Sequence, residues 1–381
     1  MAEQKDKCVP RLRFPEFKND GEWAFAILSD LIGTVSPPKK LQSNEYHSEG
    51  NYPIVDQSKE YICGYSNDSD AVFNKDSEDL IVFGDHTCIL KLVRFPFIQG
   101  ADGIRVFKSR DTERLSTHFL YHYLCSKPII ENQYKRHFSE LKETGVKYPV
   151  SVSEQSCIAE CFSSLDSYIS SSKAKLEQLK AHKKGLMQKL FPTPGKTLPE
   201  YRFPEFKNGR EWVTAKLSDF IKMVSPPKKI QSSEYYSSGR YPIIDQSKDY
   251  ICGFSNDENA VFNNDSEDVI VFGDHTCVLK LVDFPFIQGA DGIKVFKSNN
   301  PTIVSTLFLY HFLSLFPVAS VQYKRHFIEL KEKEINFPVD IFEQSCITTC
   351  LSSLDSLITA SQESLTQLIA HKQGLLKQLF L

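Results

Sequence analysis

An exact internal repeat is the feature that most constrains the fold of this chain. The eight residues IVFGDHTC occur at positions 81–88 and again at 270–277, a spacing of 189 residues. Aligning the chain with itself at that spacing pairs residues 13–191 with 202–380 without a gap. Solenoid and propeller repeats are much shorter, about 20–50 residues. We therefore predict that each copy is a folding unit of its own, which agrees with a length of 381 residues.

Each copy ends in a segment with the periodicity of a long helix. Apolar residues alternate there at spacings of four and three, which is the heptad pattern of a coiled-coil seam. The segment predicts a helix of about 38 residues, or roughly 55 Å at 1.5 Å per residue. A single apolar stripe needs a partner, and an antiparallel pair is favoured over a parallel one, in which the two preceding domains would collide. The seam positions are Ile158, Leu165, Ile169, Leu176, Leu179, Leu186, Leu190, Ile347, Leu354, Ile358, Leu365, Leu368, Leu375 and Leu379.

Both predicted helices have clear start signals. Ser151 and Asp340 occupy equivalent positions, and each can accept an N-cap hydrogen bond. Glu154 and Glu343 follow three residues later. This spacing predicts a capping box, in which the glutamate side chain bonds back to the cap residue.

The part of each copy before the helix has mixed α and β character. Strand-like runs such as YPIVD, DLIVFG, TCILKLV and GIRVFKS are separated by Gly, Asn, Asp and Ser turns, whereas STHFLYHYLCSK has a helical apolar face. We predict an α+β fold with a pseudo-twofold internal repeat, in which two mixed α/β domains are separated by two long antiparallel coiled-coil helices. The predicted boundaries are a first domain at 1–150, a first helix at 151–191, a linker at 192–200, a second domain at 201–339 and a second helix at 340–381.

Composition excludes several classes of protein. With 41% hydrophobic and 24% charged residues, the chain is globular. It has no apolar run of about 18 residues, and its opening MAEQKDK lacks the apolar core of a secretion signal, so we expect a cytoplasmic protein without a membrane partner. None of the 10 cysteines forms a CxxC pair, which favours reduced thiols, and we predict neither metal nor cofactor. Because the net charge is −3, nucleic-acid binding needs local patches or a partner with cationic surface.

The long-helix segments resemble those of one known family. PVSVSEQSCIAECFSSLDSYI with KLEQLKAHKKGLMQKLF, and PVDIFEQSCITTCLSSLDSLI with SLTQLIAHKQGLLKQLF, are similar to the helices of type I restriction-modification specificity (S) subunits. The openings FPEFKNDGEW and FPEFKNGREW and the FGDHT segment also match, and the resemblance covers almost the whole chain. It implies two target recognition domains that each bind half of a split site in double-stranded DNA. It also implies helices that dock two modification subunits, which carry the methyltransferase activity, together with restriction (motor) subunits.

The residues give little support for an enzyme. The SPPKK runs at 36–40 and 225–229 have lysine where an Asn-Pro-Pro-aromatic methyltransferase motif has a ring that stacks on a flipped base. No GxxxxGKS/T phosphate loop is present, which argues against a motor. Asp85 with His86 could form an acid/base or metal pair, but no third ligand lies at suitable spacing, so a polar strand end is favoured. We expect a non-catalytic chain; a coiled-coil scaffold presenting two protein-binding domains and a standalone DNA-modifying enzyme are the alternatives.

Four clusters in each copy combine cationic side chains with groups able to bind base edges. Lys and Arg bind phosphates, whereas Gln, Thr and similar groups hydrogen-bond to bases. The run YKRHF is the strongest cluster, because three cationic or protonatable groups stand beside an aromatic ring. Any single cluster can equally be a solvated loop. The candidate DNA-binding residues are Lys39, Lys40, Gln42, Gln57, Ser58, Lys59, His86, Thr87, Tyr134, Lys135, Arg136 and His137 in the first copy and Lys228, Lys229, Gln231, Gln246, Ser247, Lys248, His275, Thr276, Tyr323, Lys324, Arg325 and His326 in the second.

Two near-identical domains predict a symmetric DNA site. Domains related by a twofold axis present the same side chains to opposite strands, so the target is expected to be a split inverted repeat with half-sites on the order of 34 Å apart. The resemblance implies dissimilar domains and asymmetric sites for most members of the family, so this chain departs from that pattern. The symmetry could be broken at one base by differences such as Asn44/Ser233, His47/Tyr236, Asn51/Arg240 and Arg94/Asp283.

Overall fold

The computed structural model describes residues 8–100, 103–127, 137–263, 267–289, 292–318 and 325–380. It divides into two compact units. Unit 1 consists of Met1–Lys173 together with Ser364–Leu381, and unit 2 consists of Ala174–Glu363. Each unit therefore contains one α+β domain and a part of each long helix.

Unit 1 is built mainly from short strands. Its helices are α1 (Leu28–Leu31), α2 (Thr117–Ser126), α3 (Phe138–Lys142) and the first part of α4 (Val152–Leu190). Its strands are β1 (Ala24–Ile27), β2 (Ile32–Val35), β3 (Lys40–Leu41), β4 (Tyr52–Val55), β5 (Gly64–Ser66), β6 (Val72–Phe73), β7 (Leu80–Gly84), β8 (Leu90–Val93), β9 (Phe97–Gly100), β10 (Ile104–Ser109) and β11 (Gly145–Tyr148). The strands predicted from YPIVD, DLIVFG, TCILKLV and GIRVFKS are confirmed as β4, β7, β8 and β10, and the helix predicted from STHFLYHYLCSK is confirmed as α2.

The strands of unit 1 form three sheets. β1 pairs with β11, and an antiparallel four-stranded sheet has the order β2-β10-β7-β8. The third sheet has the order β3-β9-β4-β5, with β6 also paired to β9. Because β3 and β4 both run parallel to β9, the carboxyl ends of these three strands lie at one edge of the sheet. Residues that follow β3, β4 and β9 in sequence therefore meet there.

Unit 2 repeats this organisation. Its helices are α5 (Thr306–Leu315), α6 (Phe327–Lys331) and the first part of α7 (Ile341–Leu379). Its strands are β12 (Val213–Lys216), β13 (Ile221–Val224), β14 (Tyr241–Ile244), β15 (Gly253–Ser255), β16 (Val261–Phe262), β17 (Val269–Gly273), β18 (Leu279–Val282), β19 (Phe286–Gln288), β20 (Ile293–Ser298) and β21 (Glu334–Phe337). The sheet orders are β12-β21, β13-β20-β17-β18 and β15-β14-β19-β16. Lys229 bridges Gln288 of β19 in parallel, at the position that β3 occupies in unit 1.

The four-stranded sheet of unit 1 is buried on both faces. In β7, Ile81 and Phe83 face a core that includes α2 and α4, whereas Leu80 and Val82 face a second core against the parallel strands. This alternation follows from the two-residue period of a β-strand. All five residues of β7 are buried, so the polar residues that follow stand at the end of a well-packed strand.

The helices α4 and α7 are 39 residues long and run antiparallel. In unit 1, Phe162 near the start of α4 stacks on Phe380 just after α7, with ring centroids 5.4 Å apart. In unit 2, Leu190 at the end of α4 shares a core with Ile347 near the start of α7. The predicted α+β fold with two long antiparallel helices is therefore confirmed.

The residues facing between the two helices include both apolar and charged side chains. Every predicted seam position is buried or half-buried. Lys183 and Lys372 also fall on the heptad pattern, and each forms an ion pair across the helices, with Asp355 in unit 2 and with Asp166 in unit 1. Charged pairs at a helix seam favour one orientation and register over the alternatives.

The start of each long helix differs from the predicted capping box. Ser151 accepts a hydrogen bond from the Glu154 N–H at 3.4 Å, but the Glu154 carboxylate accepts two bonds of 2.7 Å from Arg13. Glu343 has the same bidentate partner in Arg202. The capping role predicted for the glutamates was wrong, because a buried charge-assisted pair with an arginine 141 residues away is stronger than a local cap.

Candidate nucleic-acid interface

The predicted DNA-binding clusters of unit 1 meet where several strands end. Gln42 follows β3, Gln57 follows β4 and His86 follows β7. We name this region the polar edge of unit 1; it consists of Lys40, Gln42, Gln57, Ser58, Lys59, His86 and Thr87. The polar edge of unit 2 consists of Lys229, Gln231, Gln246, Ser247, Lys248, His275 and Thr276. Lys39 and Lys228 come before these strand ends in sequence, and their side chains reach Asp68 and Asp257 at the opposite end of the parallel strands.

A close approach brings the Gln57 loop onto the end of β7. Thr87 Oγ1 donates a hydrogen bond of 2.8 Å to the carbonyl oxygen of Gln57. A Cβ on Gly84 would lie 2.3 Å from Thr87 Oγ1 and 2.8 Å from Gln57 Cβ. Only glycine allows the backbones to approach in this way. Two clusters that lie 30 residues apart in sequence thus form one surface.

Gly103 lies beneath the side chains of this surface. Its φ of +84° is in the left-handed region, which glycine adopts without strain. A Cβ on Gly103 would lie 2.8 Å from His86 Cδ2 and 2.9 Å from Gln57 Nε2. The amide of Gln57 and the imidazole of His86 therefore stand side by side. Gln57 Oε1 and His86 Nδ1 are buried. Amide and imidazole groups are nevertheless of the kind that can bind base edges.

The first cluster is engaged in local contacts. Lys39 Nζ lies 2.7 Å from the Asp68 carboxylate, and this hydrogen bond raises the pKa of Lys39. Gln42 caps the short 3-10 helix Ser43–Glu45. Lys40 pairs through its backbone with Gln99 of β9 and is exposed. Within this cluster, Lys40 is therefore better placed than Lys39 to meet an anion.

The fourth cluster is described only in part. Outside the described residues lie Tyr134, Lys135, Arg136, Tyr323 and Lys324. Arg325 is exposed, but the His137 and His326 side chains are 1% and 0% exposed. The His137 N–H donates a hydrogen bond of 3.0 Å to the Asp85 carbonyl oxygen. The burial of both histidines does not fit the DNA contact expected of them, because they pack inside the unit at the start of a short helix.

A buried lysine supports the loop that carries Gln57. Lys91 of β8 is 4% exposed, and its Nζ donates to the carbonyl oxygens of Asp56, at 2.8 Å, and Glu60. The Asp56 carboxylate accepts bonds from the Ser58 N–H at 2.8 Å and from Cys63 Sγ at 2.7 Å. Burial raises the pKa of Cys63, and the bond to Asp56 raises it further, so the thiol remains a protonated donor. These contacts fix the conformation of residues 56–63.

The polar edge of unit 2 has the same geometry. Thr276 Oγ1 donates to the Gln246 carbonyl oxygen at 2.7 Å, and Gly292 has a φ of +84° beneath Gln246 and His275. Lys280 Nζ donates to the Asp245 carbonyl oxygen at 2.8 Å, as Lys91 does to Asp56. The agreement follows from sequence, since the segments that build the edge are nearly identical in the two copies.

The sequence did not single out the residues beneath the polar edge as functional. Asp56, Gly84, Lys91 and Gly103 each contribute a buried contact or a close approach, and none of them offers a base-binding side chain. A usable signal was nevertheless present, because all four are identical at the equivalent positions of the second copy. The identity between the copies therefore extends to residues that support the edge and would not touch DNA themselves.

The polar edge is suited to binding and lacks the features of a metal centre. In the part of the chain that the structure describes, no group of three or more His, Cys, Asp or Glu could hold a metal ion. Within the same residues, no helix combines the length and the apolar character needed to cross a membrane. What the edge does provide is lysine charge beside amide, hydroxyl and imidazole groups, which is the combination used to bind a polyanion with base-specific contacts.

The fold and the polar edge define a two-domain binding protein built on paired long helices. A family model for the type I restriction modification DNA specificity domain matches residues 21–181 and, a second time, residues 209–370. The two matches cover most of the chain. The chain therefore belongs to this family, with two specificity domains in one polypeptide.

Two comparisons with individual proteins agree with this assignment. The type I restriction enzyme EcoR124I/EcoR124II specificity subunit of Escherichia coli is 26% identical over 132 residues, which are 34% of this chain and 32% of that protein. The chain thus spans about a third of the length of the curated relative that it matches. The crystal structure of a type I restriction-modification system S subunit from M. genitalium shares the fold, with a TM-score of 0.74, 18% identity, and coverage of 98% of this chain and 99% of that one.

Proposed function

We propose that this chain is the sequence-specific, non-catalytic DNA-recognition subunit of a type I restriction-modification complex. The observation that carries the proposal is the polar edge, where clusters distant in sequence lie at the ends of adjoining strands in both units. Family membership supports it, because specificity subunits of these systems are non-catalytic DNA-recognition proteins. Since the proposed partner is DNA, we place its action in the cytoplasm.

We assign two kinds of contact to the polar edge. Lys40 and Lys59 are exposed cations suited to phosphates, which supply affinity and orientation. Gln57 and His86 are suited to base edges, which supply sequence specificity. The run at 134–136 directly precedes His137, whose backbone is held beside the end of β7. We therefore include Tyr134, Lys135 and Arg136 among the proposed contacts, and Tyr323, Lys324 and Arg325 in the second copy.

We further propose that the target is bipartite and has the form of an inverted repeat. The polar edges carry the same residues, so each prefers the same half-site. Equivalent residues of the antiparallel helices exchange places: Lys183 meets Asp355, and Lys372 meets Asp166. A symmetric helix pair with identical domains favours a symmetric target, as in other twofold DNA-binding proteins.

The outer surfaces of the long helices are the proposed docking site for partner subunits. Tyr168 and Leu357 are equivalent positions of α4 and α7 and are 61% and 55% exposed. Phe342, near the start of α7, is 72% exposed. These exposed apolar side chains are available to pack against a partner subunit. We propose that two modification subunits dock on these helices and that restriction (motor) subunits join the resulting complex.

The proposal is tested by purifying the chain together with its cognate modification subunit. The complex is expected to form, and to enrich one bipartite motif from a random-sequence double-stranded DNA library. Failure of the complex to prefer any sequence would contradict the proposal and favour a protein-binding scaffold. Methylation by this chain alone would instead indicate the enzyme alternative.

A matched variant separates affinity from specificity. Replacing Lys59 and Lys248 by Ala is expected to weaken binding to all sequences and to reduce the salt dependence of log K by about 1 for each phosphate that is no longer neutralised. The selected motif is expected to stay the same. A change of motif without a change in salt dependence would assign these lysines to base contacts.

A further inference from the structure

Asp85 holds three separate segments together at the end of β7. Its N–H donates a 2.6 Å hydrogen bond to the Gly103 carbonyl oxygen, and its carbonyl oxygen accepts the His137 N–H at 3.0 Å. Its Oδ1 accepts the Phe138 N–H at 2.8 Å, and its Oδ2 lies 3.6 Å from Arg105 Nε. The side chain is almost fully buried, so no large ligand reaches it directly.

The three segments are the ones that carry the proposed DNA contacts. Asp85 immediately precedes His86 and Thr87. Gly103 is the residue over which the Gln57 and His86 side chains pack. His137 follows the cationic run at 134–136, and two bonds to Asp85 fix the backbone at His137 and Phe138. One buried residue therefore joins the end of β7, the Gly103 turn and the start of α3.

The second unit contains the same arrangement. The Asp274 N–H donates to the Gly292 carbonyl oxygen at 2.6 Å, and its carbonyl oxygen accepts the His326 N–H at 2.9 Å. Its Oδ1 accepts the Phe327 N–H at 2.8 Å. Asp85 and Asp274 thus make the same hydrogen bonds in their respective units.

We propose that Asp85 and Asp274 are positioning residues that set base specificity, each in its own half-site, without touching DNA. This inference rests on the proposed function. A side-chain acceptor oxygen is required because Oδ1 anchors the start of a short helix while the backbone of the same residue anchors the Gly103 or Gly292 turn. Loss of Oδ1 removes the anchor at the start of α3 or α6 and lets the neighbouring Gln and His side chains leave their shared orientation.

Three variants in each unit, two at the aspartate and one in a buried helix, distinguish this role from general stability. Asp85→Ala removes both carboxylate contacts. Asp85→Asn keeps an oxygen able to accept the Phe138 N–H, so it is expected to recover much of the lost specificity. Leu120→Ala, in buried α2 of the same unit, lowers the stability of the unit without touching the polar edge. Asp274→Ala, Asp274→Asn and Leu309→Ala are the equivalent variants of unit 2.

The measurement is motif selection from a random-sequence double-stranded DNA library by the full chain in complex with its modification subunits. The wild-type complex is expected to select two half-sites. Asp85→Ala or Asp274→Ala is expected to keep one half-site and to lose the other, with binding to the wild-type motif weakened by roughly 10-fold or more. Binding to unselected DNA is expected to change less than about twofold, because the phosphate contacts remain.

The outcomes separate the two proposals. If the wild-type complex selects no motif, the proposed DNA-recognition function fails. If the wild-type complex selects two half-sites and Asp85→Ala selects the same two, the positioning role is overturned while the function stands. If Leu120→Ala removes a half-site as fully as Asp85→Ala, or if Asp85→Asn recovers nothing, the effect is one of unit stability and the positioning role is again overturned.

Discussion

The two units are identical where they are proposed to bind DNA and different on the surfaces away from that site. Gln57, Ser58, Lys59, His86 and Thr87 have identical counterparts in unit 2. The β1–β11 pair, by contrast, shares few residues with β12–β21. The two copies therefore differ in the β1–β11 pair, far from the polar edge in sequence, and share the same candidate binding surface together with the residues that support it.

Two of the differences place a new cation beside a carboxylate of the same unit. Lys216 forms an ion pair with Glu332 at 2.7 Å in unit 2, where unit 1 has Ile27 beside the retained glutamate Glu143. Arg240 lies 2.5 Å from Glu258, and unit 1 has Asn51 and Ser69 at these positions, so here both residues differ. The Asn51/Arg240 difference was among those that could break the symmetry of the DNA site, but the Arg240 charge is balanced within its own unit.

One difference between the units is not compensated in this way. In unit 1, Arg94 lies 2.9 Å from Asp79. Unit 2 has Asp283 at the position of Arg94, while Asp268 retains the position of Asp79. Burial raises the pKa of Asp268, and the negative charge of Asp283 raises it further. An attractive pair in one unit is thus a repulsive pair in the other.

The largest expected effect tests whether the two units share the same internal anchor. Arg13→Leu leaves the Glu154 carboxylate buried without its bidentate partner, and Arg202→Leu does the same to Glu343. Each variant is expected to destabilise its own unit by about 3–5 kcal/mol, because an isolated buried charge is costly. Hydrogen exchange of the full chain, followed separately in β1–β11 and β12–β21, measures this. If one variant strongly destabilises its unit and the other has no effect, the two arginine–glutamate pairs are not equivalent anchors.

The next largest effect concerns DNA. Gln57→Ala and Gln246→Ala are each expected to weaken binding to the selected motif by about 1 kcal/mol or more, since each removes a proposed hydrogen bond to a base edge. Equilibrium binding of the purified complex, measured by fluorescence anisotropy, provides the comparison. Gln178→Ala, on an exposed face of α4, is the control and should leave affinity unchanged. Unequal losses at Gln57 and Gln246 would show that the identical edges are used differently.

A smaller effect tests the pairing of the helices. Lys183→Asp places a like charge opposite Asp355, and Lys372→Asp does the same opposite Asp166. We expect each to destabilise the chain by about 1 kcal/mol, because these pairs are only half-buried. Combining Lys183→Asp with Asp355→Lys should restore stability in urea unfolding. No recovery in the double variant would argue against direct pairing.

The smallest effect addresses the uncompensated difference. Asp283→Arg is expected to stabilise unit 2, and Arg94→Asp to destabilise unit 1, each by about 0.2–1 kcal/mol, as is usual for exposed ion pairs. The direction of each change follows because an arginine attracts, and an aspartate repels, the unchanged neighbouring carboxylate of Asp79 or Asp268. Thermal unfolding of both variants against wild type is the measurement, and a shift in the same direction for both would contradict the assignment.

The same site predicts a pH dependence of stability. The pKa of Asp268 is higher in the folded chain than its ordinary value of 3.8. The folded state therefore holds this proton more tightly, so the contribution of Asp268 to stability is present below that value and is lost as pH rises through the folded-state pKa. Asp283→Arg should reduce this loss, because it removes the repulsion by Asp283 but not the burial of Asp268, which is the larger cause of the raised pKa. The measurement is the unfolding free energy of wild type and of Asp283→Arg, from pH values below 3.8 up to neutral pH. If the difference between the two proteins does not change over this range, the repulsive pair is refuted.

The sequence predicted periodic elements well and long-range partners poorly. The heptad pattern predicted both long helices, and short apolar runs predicted β4, β7, β8 and β10, because these signals are local in sequence. The role of Glu154 was misassigned since its partner Arg13 lies far away in sequence, where no spacing rule applies. His137 was predicted to contact DNA as part of the basic run YKRHF, but its side chain is buried at the start of α3, where its backbone N–H bonds to Asp85.

The composition of the candidate site followed from sequence, whereas its assembly did not. The clusters around Gln57 and His86 were identifiable as polar, duplicated segments. Their meeting over Gly103 depends on the parallel pairing of β4 with β9 and on the pairing of β7 with β10, which are non-local features of sheet topology. The supporting role of Lys91 is similarly invisible in sequence, because a lysine in an alternating strand usually predicts an exposed face.

The most direct test of the account is sequencing of methylated sites in genomic DNA from cells that contain this chain with its modification subunits. Two equivalent polar edges on antiparallel helices predict a split motif whose two halves are the same sequence in inverted orientation. A motif with two unrelated halves would contradict the central claim that the duplicated edges bind DNA equivalently.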